Sequence, residues 1–384
     1  MATMPAMKPS RSAAISSALQ NSIRVRVLAW FQRHKRPMPW RNTSDPYAIW
    51  LSEVMLQQTQ VATVEPYYRR FLQRFPDVGS LAAAPLEEVL KFWAGLGYYR
   101  RAKSLHKAAC IITSTYHCMF PSIYDDILEL PGIGRYTAGA IASIAFGQRV
   151  PVLDGNVMRV VTRLFAIDDD IARQSTKNRL WKIAENLVPR HQPGNFNQAL
   201  MELGATICTP RNPRCETCPL EQTCAARRTN RQEMLPVKKR KAVPARMRLA
   251  AIILNSPRGQ LLGRRKAGGL WEHLWEFPTF EISSPTAAIV SRHFFALTGL
   301  RLKLKRHPAT VTHQLTHRRL EYVLFVGRTT SVAAVKFNAA VASNYDTVQW
   351  VAEIKSVPVA RITGKLSALA SADNRTDLAR RAPA

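Results

Sequence analysis

Four of the six cysteines fall in one short stretch, Cys208-x6-Cys215-x2-Cys218-x5-Cys224, which also carries Pro210, Pro213 and Pro219. No other feature limits the local fold as tightly. Four thiolates at this spacing can enclose one metal centre, and soft donors of this kind suit either zinc or a four-iron cluster. All four ligands are consumed, so the implied role is structural. Arg211 and Arg214 project from the same loop, either to meet phosphates or as solvated charges. Only Cys110 and Cys118 remain, and so few, uneven cysteines do not make a secreted disulfide scaffold; a reducing compartment is expected.

The 384 residues carry 55 Lys+Arg against 26 Asp+Glu, a net charge of +29. Such an excess points to a polyanionic partner, DNA or RNA first. A hydrophobic content of 46% excludes a disordered tail protein, and the length suggests two domains. No apolar run is long enough to span a membrane. Residues 1–22 are expected to be a flexible basic arm running into a first helix at about Ile23–Gln32. The stretch from Met1 to Arg36 weakly resembles a transit peptide, leaving a targeting role open.

Between Tyr47 and about Ala205 the apolar residues recur at helical spacing, with prolines such as Pro46, Pro85 and Pro131 at the breaks. Helix after helix is expected, without strands before residue 247. A basic run from Arg227 to Arg248, broken by Pro236 and Pro244, reads as an exposed linker over 227–247. Beyond it, Leu249–Leu254, Leu261-Leu262, Phe277–Ile282, Leu302–Leu304, Leu320–Val326 and Val348–Val351 read as strands and Thr286–Leu297 as a helix. This second domain, 248–365, is therefore α+β, and 366–384 is expected to be a disordered tail.

Two further patterns carry chemistry. Leu130-Pro131-Gly132-Ile133-Gly134-Arg135-Tyr136-Thr137-Ala138 is a Gly-x-Gly turn feeding a helix over Thr137–Phe146. It is either a cradle that brings backbone amides to a phosphate or an ordinary tight turn. Glu53 and Asp154 are a pair of carboxylates in unusual settings. Glu53 sits among Trp50, Leu51, Val54, Met55 and Leu56, where desolvation would raise its pKa; a place on the polar face beside Gln57 and Gln60 is the other reading. Asp154, in Leu153-Asp154-Gly155-Asn156-Val157, reads as a helix N-cap that stays ionised and fixed. One neutral and one charged acid can break a glycosidic bond through a cationic transition state.

The run Trp50–Val61, Gly95-Leu96-Gly97-Tyr98-Tyr99, the Leu130–Ala138 hairpin, Leu153–Val157 and the cysteine loop together resemble the adenine DNA glycosylases of the MutY family, over about residues 24–226. The resemblance implies an all-α helix-hairpin-helix glycosylase domain over 23–226, with the hairpin at 130–146 and a [4Fe-4S] cluster on Cys208, Cys215, Cys218 and Cys224. By the same resemblance Glu53 protonates adenine and later helps activate water, Asp154 stabilises the oxocarbenium-like sugar, and Tyr136 and Asn156 hydrogen-bond around them. Gln57 and Tyr98 would wedge into the duplex as adenine is flipped out, while Arg36, Met38, Trp40 and Arg41 would wall the adenine pocket. Gly132, Gly134 and Arg135 would hold the DNA backbone. Bifunctional relatives place a lysine where this chain has Tyr136, so a monofunctional enzyme is implied.

Leu249–Trp350 resembles the MutT (Nudix)-like domain of the same family, most recognisably at Gly269-Leu270-Trp271-Glu272-His273-Leu274-Trp275-Glu276-Phe277-Pro278. The carboxylate box of a nucleotide hydrolase is missing, leaving a role in reading 8-oxoguanine. The family reads it with Phe-Ser-His, where this chain has Leu315-Thr316-His317; Thr316 and His317 would contact the lesion, without the aromatic surface. The expected substrate is duplex DNA with A:8-oxoguanine or A:G pairs, acted on by a monomer in the bacterial cytoplasm, with nucleus or mitochondrion as alternatives. Two rival readings are an endonuclease III-like glycosylase/lyase and a non-catalytic iron-sulfur DNA-binding protein.

Overall fold

Several helices in the first two hundred residues start where a side chain or a proline relieves the free amides of the first turn. Helix α1 (Ser17–His34) is capped by Ser16, and α2 (Pro46–Leu56) by Asp45 with Pro46 in the first turn. There follow α3 (Val61–Arg74), α4 (Val78–Ala83), closed by an Asp77/Ser80 capping box, α5 (Leu86–Trp93), α6 (Arg100–Thr115) and α7 (Tyr124–Glu129). Next are α8 (Arg135–Phe146), α9 (Gly155–Leu164), α10 (Gln174–Leu187), α11 (Pro193–Thr206) and a short α12 (Ala225–Arg228). The computed structural model describes residues 15–238, 245–282, 285–315, 318–330, 335–338 and 344–379, the stretch 371–379 by backbone alone. Lys239, Arg240 and Lys241 of the basic run, as well as Thr316 and His317, lie outside the described residues.

The chain divides into two compact units, each built from two stretches: Met1–Gln58 with Ile111–Arg240, and Thr59–Cys110 with Lys241–Ala384. In the first, α1, α9, α10 and α11 enclose a core that includes Val27, Phe31, Val160, Leu180, Phe196 and Leu203. Helix α2 is buried at every position from Tyr47 to Met55, a core helix without a polar face there. In the second, α3–α5 and most of α6 join the carboxyl-terminal sheet. There Phe71 packs edge to face on Trp93 and Phe75 on Phe92, and Phe71 and Phe75 meet at a tilt.

The sheet comprises β1 (Ala245–Ser256), β2 (Gly259–Arg265), β3 (Trp275–Glu276) and β4 (Thr279–Glu281), then α13 (Ala287–Thr298), β5 (Lys305–Gln314), β6 (Arg318–Arg328) and β7 (Tyr345–Val351), and ends on α14 (Arg361–Ala379). Its order is β3-β2-β1-β6-β5, with β4 paired to β1 and β7 to β2. The central pair β1/β6 is parallel, from Ala245 opposite Arg318 to Asn255 opposite Arg328. Leu249 to Leu254 are all buried, as a strand covered on both faces requires, which explains their unbroken apolar run.

Several boundaries differ from expectation. Helix α1 starts at Ser17, within the stretch read as an arm, because the Ser16 hydroxyl accepts from the Leu19 amide. Helix α8 starts at Arg135, not Thr137. Leu302–Leu304 is not a strand; β5 follows it, its apolar content too low to announce it. The stretch up to residue 238 is not an exposed linker: Leu235 is buried, its carbonyl accepts from buried Arg163, and Arg231 pairs with Asp168. The expected disordered tail is largely helical, because Ile362, Leu366 and Ala370 fall on one buried stripe of α14.

Candidate active site

Glu53 lies on α2 with only 7% of its surface exposed, so the solvated-face reading fails. Its Oε2 accepts from the Tyr136 hydroxyl at 2.6 Å, and that hydroxyl also lies 3.1 Å from Met201 Sδ. Burial pushes the Glu53 carboxyl up to about 7; the Tyr136 bond opposes this, nearby Asp154 adds to it and Arg41 opposes it. Tyr136, driven well above its ordinary value chiefly by burial, stays a phenol and a donor.

Asp154 caps α9, its Oδ1 accepting from the Val157 amide at 2.7 Å and its Oδ2 from Asn156 Nδ2 at 2.9 Å. Position is therefore fixed from two directions. Its ionisation is opposed: burial raises the pKa, and the Val157 and Asn156 bonds and Arg159 recover only part of that. Arg159 extends the network, donating to Asn156 Oδ1 at 2.9 Å, to the Gly204 carbonyl at 2.7 Å and, through Nε, to the Cys208 carbonyl at 2.7 Å. A Cβ on Gly204 would stand 2.6 Å from that of Asn156, so α11 can approach only because residue 204 has no side chain.

Glu202 on α11 went unmarked in the sequence. It is 1% exposed, accepts from Arg36 Nε at 2.6 Å and Nη2 at 2.9 Å, and from Arg41 Nη2 at 2.7 Å. Burial alone would raise its pKa, but these bonds outweigh burial and hold it below the usual carboxylate range. Met38 and Trp40 are buried beside this triad in sequence, on a turn that ends at Arg41. A lone glutamate in a helical pattern offers no signal; only its two partners, far away in the chain, mark it.

In the hairpin, Gly132 takes φ +81°, which demands glycine, whereas Gly134 is extended and caps α8. Arg135 stacks over the Trp181 ring at 4.3 Å. Gln57 ends α2 and reaches Thr137 Oγ1 at 3.4 Å. In the second unit Tyr98 is half exposed, holds φ +48° and lies 5.6 Å from the Arg101 guanidinium. A non-glycine residue in this region is strained, a pattern that concentrates at functional sites.

All four cysteines of the loop, with Arg163, Arg214 and Arg227, line one pocket. Arg163 Nη1 donates to Cys208 Sγ at 3.3 Å, and Arg214 Nη2 to the Thr206 carbonyl at 2.7 Å. Burial pushes the Cys218 thiol up to about 12 and the other thiols add to it. Burial raises the Cys215 and Cys224 thiols too, and these three soft donors, with Cys208 in the same pocket and arginines beside them, fit a cationic cluster that accepts thiolates.

Residues 51–186 match the HhH-GPD superfamily of base excision DNA repair proteins, 208–224 the iron-sulfur binding domain of endonuclease III, and 249–368 the NUDIX domain. The fold and site therefore define an iron-sulfur DNA glycosylase of base excision repair with an appended Nudix-like domain, and the zinc alternative gives way to the cluster. The chain is 36% identical over 292 residues to adenine DNA glycosylase of Buchnera aphidicola subsp. Schizaphis graminum, covering 76% of this chain and 84% of that one. It is 37% identical to the Homo sapiens enzyme of the same name, covering 79% and 66%. A thermostable thymine-DNA glycosylase superposes with a TM-score of 0.50 at 31% identity, over 55% of this chain and 97% of that one. The chain belongs to the adenine DNA glycosylase family, hydrolases of N-glycosyl bonds.

Proposed function

We propose that the chain releases adenine mispaired with 8-oxoguanine or guanine from duplex DNA, without cutting the strand. The observation that carries this reading is the buried Glu53 carboxyl, bonded to Tyr136 and within the field of Asp154 and Arg41. A carboxylic acid kept neutral near pH 7 can give its proton to a ring nitrogen of the flipped base. The C1′–N9 bond then breaks with its electron pair passing to the base. The fixed Asp154 carboxylate faces the oxocarbenium-like sugar, Glu53 takes a proton from the attacking water, and hydroxide closes on C1′. Tyr136 and Asn156 hold the two acids in place.

Arg36, Met38, Trp40 and Arg41 form the base-pocket wall in this reading, with Glu202 fixing both arginines. Gln57 and Tyr98 offset lost stacking when the base leaves. Gly132, Gly134, Arg135, Arg211 and Arg214 contact backbone phosphates, and the β5–β6 hairpin, with Thr316 and His317, reads the lesion. When bound, the [4Fe-4S] cluster on Cys208, Cys215, Cys218 and Cys224 acts as a structural crosslink. No helix among the described residues is long and apolar enough to cross a membrane. A monomer in the bacterial cytoplasm, at the nucleoid, is the setting we propose.

The test is single-turnover release of adenine from a duplex with one A:8-oxoguanine pair, wild type against Glu53→Gln. Release by the wild type and loss of at least about a thousandfold in the variant are expected; no release, or equal rates, overturns the reading. Borohydride trapping on the same duplex should capture little enzyme, because Tyr136 offers no amine.

A further inference from the structure

The turn between β2 and β3 holds three consecutive residues of unusual character. Trp271 and His273 both adopt left-handed backbone, φ +57° and +62°, and neither is glycine. Between them Glu272 is held by two partners: Oε1 lies 2.6 Å from Lys103 Nζ on α6, and Oε2 accepts from the Gly268 amide at 2.7 Å. Backbone of this kind persists only where the surroundings over-determine it. The Trp271 ring packs 5.7 Å from that of His313, on the last turn-side stretch of β5 before Leu315. A second grip lies alongside: the buried Tyr99 hydroxyl donates to the Val359 carbonyl at 2.8 Å and accepts from the Gly95 amide at 3.2 Å, while Val359 bridges to Trp275 in β3.

All these residues belong to one compact unit. Contact is continuous from the exposed Tyr98, through its neighbour Tyr99 and through Lys103, to Glu272, Trp271 and the β5–β6 hairpin. Surface ion pairs alone stabilise little. Here the pair joins α6, which follows the Tyr98 turn, to the strained β2–β3 turn that packs on His313 of β5.

We propose that Lys103, Glu272 and Tyr99 are positioning residues that couple the β5–β6 hairpin to the Tyr98 turn, so that the base opposite adenine sets how readily adenine is extruded. This inference rests on the functional reading above. Its test is the ratio of single-turnover adenine release from A:8-oxoguanine and A:G duplexes. Lys103→Met and Glu272→Gln should each lower that ratio by about fivefold, mainly through the A:8-oxoguanine rate. The exchange Lys103→Glu/Glu272→Lys should recover most of it. Tyr99→Phe, which removes one hydroxyl from an otherwise intact core, should shift the ratio in the same direction. Release by the wild type with an unchanged ratio in all variants, an equal loss on both duplexes, or no recovery in the exchange overturns the coupling while leaving the glycosylase reading in place. No release by the wild type from either duplex overturns both.

Discussion

A carboxyl group that is to give up a proton near neutral pH has to be prevented from ionising earlier, and at Glu53 burial does this. The result is a pKa of about 7. Two outcomes follow from that single number. Single-turnover base release should be level on the acid side and fall about tenfold per pH unit above about 7, as the protonated fraction falls. Stability should move in the same direction. The folded state retains a proton that the unfolded chain releases near its ordinary value, so stability declines as pH rises between the ordinary glutamate value and about 7, and stays low beyond it. Glu53→Gln removes that penalty while keeping an acceptor for Tyr136. At pH 8 the variant should unfold with about 3 kcal/mol more stability than wild type, and at pH 4 with no gain, as measured by urea titration at both values.

At the scale of elements, the cysteine loop is bonded to the middle and the last turn of α9, through Arg159 and Arg163. Its Cys208 carbonyl accepts from Arg159, which also holds Asn156, the donor to Asp154. Arg163, one turn along the same helix face, bonds the Cys208 sulfur and the Thr209 and Pro210 carbonyls. Loss of a ligand should therefore disturb the acid without touching it. Cys218→Ser should lower bound iron and the visible absorbance band together, and reduce base release by more than about tenfold. A variant free of iron that retains wild-type release would show that the loop holds Asp154 in place without its cluster.

For the molecule as a whole, the net charge of +29 sets a sequence-independent attraction to DNA that weakens with salt. Arg211 and Arg214 sit on the cysteine loop, both exposed. If they meet phosphates, Arg211→Ala/Arg214→Ala should reduce the slope of log Kd against log salt by about two and weaken binding alike on matched and mismatched duplexes. An unchanged slope would return them to the solvated surface. Arg135 is a different case, because its guanidinium is already stacked on Trp181.

Motifs confined to a short window are legible in the chain itself. The four cysteines, the Gly-x-Gly turn, the Asp154 cap and the helical periodicity each depend on neighbours within a few turns, and local geometry alone satisfies them. The Nudix-like domain is legible as α+β for the same reason, since Leu249–Leu254 is an unbroken apolar run and Thr286 a recognisable cap. What the tertiary structure alone decided concerns pairs distant in the chain. Glu202 finds Arg36 across 166 positions, and the lack of a side chain at Gly204 matters only because Asn156 arrives beside it. The burial of Glu53 depends on α8 packing against α2, and the joining of Thr59–Cys110 to the carboxyl-terminal sheet crosses the boundary that composition suggests at the basic run. Sequence alone determined which groups could do chemistry. Burial and partners assembled from remote segments decided the protonation and orientation in which each is held, because desolvation and hydrogen bonding depend on neighbours in space rather than in the chain.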